Sequence, residues 1–101
     1  MFYDIVMQGF IVKQPYSGQI INGKKKFEYR NFKTNKINES CYLLSEGLVL
    51  GKIMFTGIKT HNKEWKYAWS IKVIQKFKKP WRYSHPMGAQ RWIKSVVQKT
   101  D

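Results

Sequence analysis

Carboxylates are scarce in this chain of 101 residues, with 6 Asp and Glu against 19 Lys and Arg, a formal charge of +13. So few acids leave no evident second catalytic carboxylate beside Glu28, since Glu46 and Glu64 fall in segments that read as loops. Cysteine is almost absent. The lone Cys41 excludes an intrachain disulfide and suits a reducing, cytoplasmic compartment. Set in the apolar run Cys41-Tyr42-Leu43-Leu44, it reads as a small core residue rather than a nucleophile. His61 and His85 lie far apart with no second ligand at metal spacing, so no metal site and no cofactor are expected. No apolar run approaches the ~18 residues of a membrane span, and the amino terminus lacks a basic region followed by an apolar one. Neither a membrane partner nor a leader peptide is expected. Internal repeats and low-complexity linkers are missing too, which makes residues 1–101 a single domain.

What is present in excess is positive charge and aromatic surface. Hydrophobic residues make up 43% and aromatic residues 16%, enough for a real core in a chain this short. A charge of +13 on 12.1 kDa attracts polyanions and speeds their encounter. The same charge also describes a lysine-rich solvated surface. Lysine outnumbers arginine, which suits diffuse phosphate attraction more than bidentate reading of bases.

Residues 5–13 read as a first strand, with Gly9 as a bulge position. Pro15 opens a short helix in which Tyr16, Ile20 and Ile21 form the apolar face, and Gly23 ends it. Residues 26–32 read as a strand with Phe27 and Tyr29 on one face and Glu28 and Arg30 on the other. A polar loop, a short strand at 41–44 and a turn at Glu46-Gly47 follow. Residues 48–58 form a long apolar strand bent at Gly51 and Gly57. Segment 59–66 is polar and charged. Strand 67–78 alternates most clearly, with Tyr67, Trp69, Ile71, Val73, Gln75 and Phe77 on one face. Residues 80–83 are expected to leave the sheet; in the tail, Trp92, Ile93, Val96 and Val97 sit at helical spacing, but a closing strand at Trp92 is favoured because a barrel needs closure. The fold class is α+β, mainly β: a small barrel of five to six strands with one or two short helices.

The segment from Gln14 to Arg30 carries the strongest chemical signal. A helix stops at Gly23, Lys25 stands at the junction, and Glu28 and Arg30 follow on one strand face. On open surface these three charges form a weak ion pair. In a cleft, Glu28 orients Lys25 and Arg30 as donors for a phosphate or a base edge. Gly23-x-Lys25-x-x-Glu28-x-Arg30 resembles the G-x-K-x-x-E-x-R motif of ASCH domains, a branch of the PUA-like barrels. Gln14-Pro15-Tyr16-Ser17 is similar to the helix start of that family, and Gly51-Lys52-Ile53, Trp69 and Gly88-x-x-x-Trp92 follow its later pattern. The resemblance spans roughly residues 10–95. It implies a PUA-like barrel with a cleft beside the motif helix, and an RNA partner. Some members are amidohydrolases acting on acetylated cytidine, and one is reported as a ribonuclease. In the amidohydrolases the motif lysine is catalytic and a threonine stands at the position of Glu28. This chain keeps Lys25 and lacks the threonine, so the resemblance does not carry that activity over.

The expected function is binding of RNA or another single-stranded nucleic acid, with a small nucleoside- or RNA-directed enzyme as the alternative, Lys25 at its centre. The candidate ligand-binding residues are Tyr16, Lys25, Glu28, Arg30, Trp69, Trp81, Arg82 and Tyr83. Trp69 has two readings, a core tryptophan or a cleft wall that stacks a base. Trp81, Arg82 and Tyr83 follow two lysines and a proline, an interleaving of basic and aromatic residues that suits a single-strand contact or an ordinary packed turn. His85 before Pro86 is expected to cap a turn. A third reading is a protein-interaction adaptor whose basic surface meets an acidic protein; the sequence speaks neither for nor against it.

Overall fold

The computed structural model describes residues 7–99. Residues 1–4, and residues 5 and 6 of the expected first strand, lie outside the described residues. The chain runs β1 (Gly9–Ile11), α1 (Tyr16–Ile21), β2 (Phe27–Arg30), β3 (Ser40–Ser45), β4 (Leu48–Thr60), β5 (Tyr67–Arg82) and β6 (Trp92–Ile93). The strands form one six-stranded sheet in the order β2-β5-β4-β3-β1-β6. β1 and β3 are parallel and the other pairs antiparallel. The sheet curls into a half-barrel, so the expected mainly-β, barrel-like α+β class holds, with six strands and one helix. The closing strand from Trp92 is present, paired to β1 over two residues.

Local sequence explains most of the turns. Glu46 and Gly47 both have positive φ, 51° and 83°, the two-residue turn whose twist matches a hairpin. β4 changes register against β5 at three points, Val49/Gly51, Lys52/Ile53 and Phe55/Gly57, and the first and last fall at the glycines expected to bend the strand. A Cβ on Gly51 would drive into the Gln75 carbonyl oxygen and stand 2.7 Å from Ile21 Cδ1. The glycine lets β5 and the end of α1 approach β4 closely.

Two expectations need correction. Gly9 is no bulge, because it pairs regularly with Tyr42 on one side and Ile93 on the other. Its missing side chain instead makes room for Leu44 and for Val96, whose Cγ2 would lie 2.6 Å from a Cβ. Residues 80–82 do not leave the sheet. Val49 pairs with Trp81 and Leu48 with Arg82, while Phe77 to Pro80 lie opposite Leu50 alone. Pro80 falls in that irregular stretch, where its missing N–H removes no ladder bond.

The core holds Phe10, Val12, Ile20, Cys41, Leu43, Ile53, Phe55 and Trp69. Phe10, Phe55 and Trp69 meet with ring centroids 5.1 to 5.8 Å apart, in edge-to-face and tilted pairs. A second cluster gathers Leu44, Val49, Tyr83 and Ile93 toward the other end of the sheet. α1 packs on β3 and β5, and a buried hydrogen bond of 2.9 Å between the Ser17 and Ser45 hydroxyls ties it to β3. Among the described residues no helix is long and apolar enough to cross a membrane.

Candidate nucleic-acid cleft

The cleft begins where α1 ends. The Gln14 side chain accepts a bond from Gly18 N–H at the start of the helix. At the far end the N–H groups of Lys24 and Lys25 both reach the Gln19 carbonyl, and Gly23 takes a φ of 79°. The chain therefore reverses within three residues, leaving Lys25 beside β2. β2 then pairs with the start of β5, Glu28 opposite Trp69.

Glu28 is buried and sits between the two cations. Its Oε1 accepts from Lys25 Nζ at 3.2 Å and its Oε2 from Arg30 NH2 at 3.5 Å. Lys25 Nζ also donates to the Phe27 carbonyl and lies 5.0 Å from the Tyr29 ring centroid. The Arg30 guanidinium lies 5.0 Å over the Phe10 ring. Two cations against one carboxylate leave one net positive charge, and Glu28 holds both donors in place.

These groups line a cavity of about 280 Å³ together with Tyr16, Tyr29 and Trp65. Tyr16 is 53% and Trp65 41% exposed. The expected helix face is thus corrected: Ser17 and Ile20 are buried while Tyr16 turns outward to the cleft. Tyr29 lies across the strand from Glu28 by alternation, yet it lines the same cavity because β2 is the sheet's edge strand.

Trp65 lines the cleft and is a residue the sequence reading missed. It lies in the β4–β5 connection, in the segment read only as polar and charged. Its N–H bonds to Asn62 Oδ1 at 2.8 Å, and its carbonyl accepts from Asn62 N–H. Lys66 N–H bonds to Asn31 Oδ1 at 2.9 Å, which fastens this loop to the exit of β2. His61 from the same loop packs at a tilt against Tyr29, centroids 4.7 Å apart. The available signal was that Trp65 stands two residues before Tyr67 and continues the odd-numbered aromatic face of the following strand into a charged segment.

The other candidates are not brought to this cleft. Trp69 is fully buried, and its indole N–H donates to the Phe32 carbonyl at 3.1 Å. It is a core tryptophan beneath the site and has no exposed face for a base. Tyr83 is also buried, in the second cluster, where burial raises its phenol pKa. Trp81 packs edge-on against Tyr42, centroids 5.3 Å apart. Arg82 is exposed, but it lines a separate cavity with Tyr83 and His85. His85 does hold a turn: its Nε2 meets the Ala89 carbonyl and its Nδ1 the Tyr83 hydroxyl, each at 2.9 Å. Burial pushes the Cys41 thiol up to about 12, so it stays protonated at neutral pH and is no nucleophile. Among the described residues no three His, Cys, Asp or Glu side chains gather as metal ligands.

The arrangement can do two things chemically: clasp a flat ring between aromatic walls and offer cationic donors to its edge or to a phosphate. In comparison with known proteins, no family model and no curated protein matches the chain.

Proposed function

We propose that this chain is a nucleic-acid-binding module of the ASCH type that holds an unstacked RNA base in the cleft of Tyr16, Lys25, Glu28, Tyr29, Arg30 and Trp65. One observation carries the reading: exposed aromatic rings surround a hydrogen-bonded Lys25–Glu28–Arg30 set in a cavity of about 280 Å³. Single-stranded nucleic acid is bound by stacking on such rings, each worth about 1–3 kcal/mol per base, with cations tracking the backbone. The charge of +13 and the motif from Gly23 to Arg30 support the same reading. A cytoplasmic location belongs to the proposal and rests on the lone, buried cysteine.

Fluorescence anisotropy with labelled RNA and DNA oligomers tests it. Wild-type protein is expected to bind single-stranded RNA at low salt. Lys25→Ala and Trp65→Ala should each weaken binding about tenfold or more, given the stacking and charge contributions above. Absence of binding to any oligomer at low salt defeats the proposal. If acetylated cytidine or structured RNA is turned over, and Lys25→Ala abolishes the turnover, the enzyme reading replaces it.

A further inference from the structure

Beyond the end of β2 the chain passes from the cleft directly into a second depression of about 460 Å³, lined by Phe32, Lys33, Lys36, Arg91 and Trp92 among others. Its chemistry differs from that of the cleft. The Arg91 guanidinium lies 4.4 Å over the Phe32 ring, Lys36 Nζ 5.3 Å over Trp92, and Lys33 Nζ 5.6 Å over Tyr67. The ion pairs among the described residues are those of Glu28 with Lys25 and Arg30. Among the described residues, Lys33, Lys36 and Arg91 thus lie against aromatic faces and form no ion pair with a carboxylate. A group of cations with no carboxylate suits a phosphate, whereas the Glu28-bearing cleft suits a neutral ring.

The two depressions adjoin. Arg30 lines the first and Phe32 the second, and residues two apart on an extended chain are separated by about 7 Å at most. The Phe10 ring links the two sets of residues, with the Arg30 guanidinium 5.0 Å and the Trp92 ring 4.7 Å from its centroid.

We infer that the ligand is a polynucleotide strand rather than a single nucleotide. One base occupies the cleft, and the phosphodiester linking it to the next nucleotide, which a 5′-mononucleotide lacks, lies in the groove of Lys33, Lys36 and Arg91. This rests on the reading of the cleft as a base site. It makes the groove a separate phosphate subsite that determines the preference for polymer over monomer.

The test compares a labelled single-stranded RNA octamer with the four labelled 5′-mononucleotides, on wild-type protein, on the variant Lys33→Gln/Lys36→Gln/Arg91→Gln and on the control Lys78→Ala/Lys79→Ala. Thermal unfolding checks that each variant is folded, and the double variant Lys33→Gln/Lys36→Gln serves if the triple variant is not. The triple variant should lose at least tenfold in octamer affinity. The slope of log affinity against log salt should fall by about 0.7, the value for one phosphate contact on a single strand. Mononucleotide affinity should stay within about twofold, and the control should weaken the octamer by no more than about threefold, as befits peripheral charge. An unchanged octamer affinity and slope in a wild type that binds the octamer overturns the groove alone. So does equal weakening of octamer and mononucleotides. A wild type that binds no probe overturns the cleft reading and the groove with it.

Discussion

Glu28 decides whether the charges of the cleft form a site or repel one another. Its side chain is 8% exposed, and its partners Lys25 and Arg30 are 15% and 22% exposed. Lone exposed ion pairs contribute little, but a nearly buried carboxylate shared by two cations leaves both uncompensated when it is neutralised. Glu28→Gln keeps the shape and removes the charge. Urea denaturation should show a loss of about 1–2 kcal/mol, and a stability equal to wild type would mean the cations are satisfied by water. Sequence placed Glu28 and Arg30 together because a strand's period of two is a local property. The same alternation sent Tyr29 away from them, and only its place at the sheet edge returned it to the cavity. Trp65 continues the alternation of Tyr67 and Trp69, but its place at the cleft depends on Asn62 within the loop and on the bond from Lys66 to Asn31, which no strand period shows.

At the scale of elements, the β4–β5 ribbon is the longest feature and the site depends on its path. β4 bends where Gly51 lets the Gln75 carbonyl and Ile21 come close. Gly51→Ala should lower stability by about 1–3 kcal/mol in urea denaturation, the usual cost of overpacking. Gly57→Ala is the internal comparison: a Cβ there meets only Ser70 Oγ, at 3.4 Å, so its effect should be small. Equal losses at the two sites would show that close approach is not the cause. Both bends were legible, since glycine inside an apolar strand marks a bulge or a close approach. The continuation of β5 through Pro80 was not. Proline signals a strand end locally, but a four-residue excursion opposite Leu50 lets the ladder resume at Trp81.

The whole molecule measures 46 × 26 × 24 Å and carries its excess of cations over much of that surface. Lys78 and Lys79 are exposed in the irregular part of β5 and line neither depression at the end of β2. In the proposed reading they belong to the general positive field that steers a polyanion rather than to the site. In stopped-flow mixing with single-stranded RNA, Lys78→Ala/Lys79→Ala should slow association about two- to threefold at low salt and leave dissociation nearly unchanged, because peripheral charge acts on encounter. Faster dissociation in this variant would place these lysines in the bound complex instead.

The sequence by itself determined the mainly-β class, the helix stop at Gly23, the hairpin turn at Glu46-Gly47 and the shared face of Glu28 and Arg30. Each follows from backbone preferences and side-chain periods that act over a few residues. Only the tertiary structure decided which aromatics are core and which are walls. Trp69 and Tyr83 go inside because strands distant in sequence close over them, while Tyr16 and Trp65 stay outside at a rim made by helix, edge strand and loop. Burial is a sum over non-local contacts, and no local pattern distinguishes an aromatic that will be covered from one that will be left open.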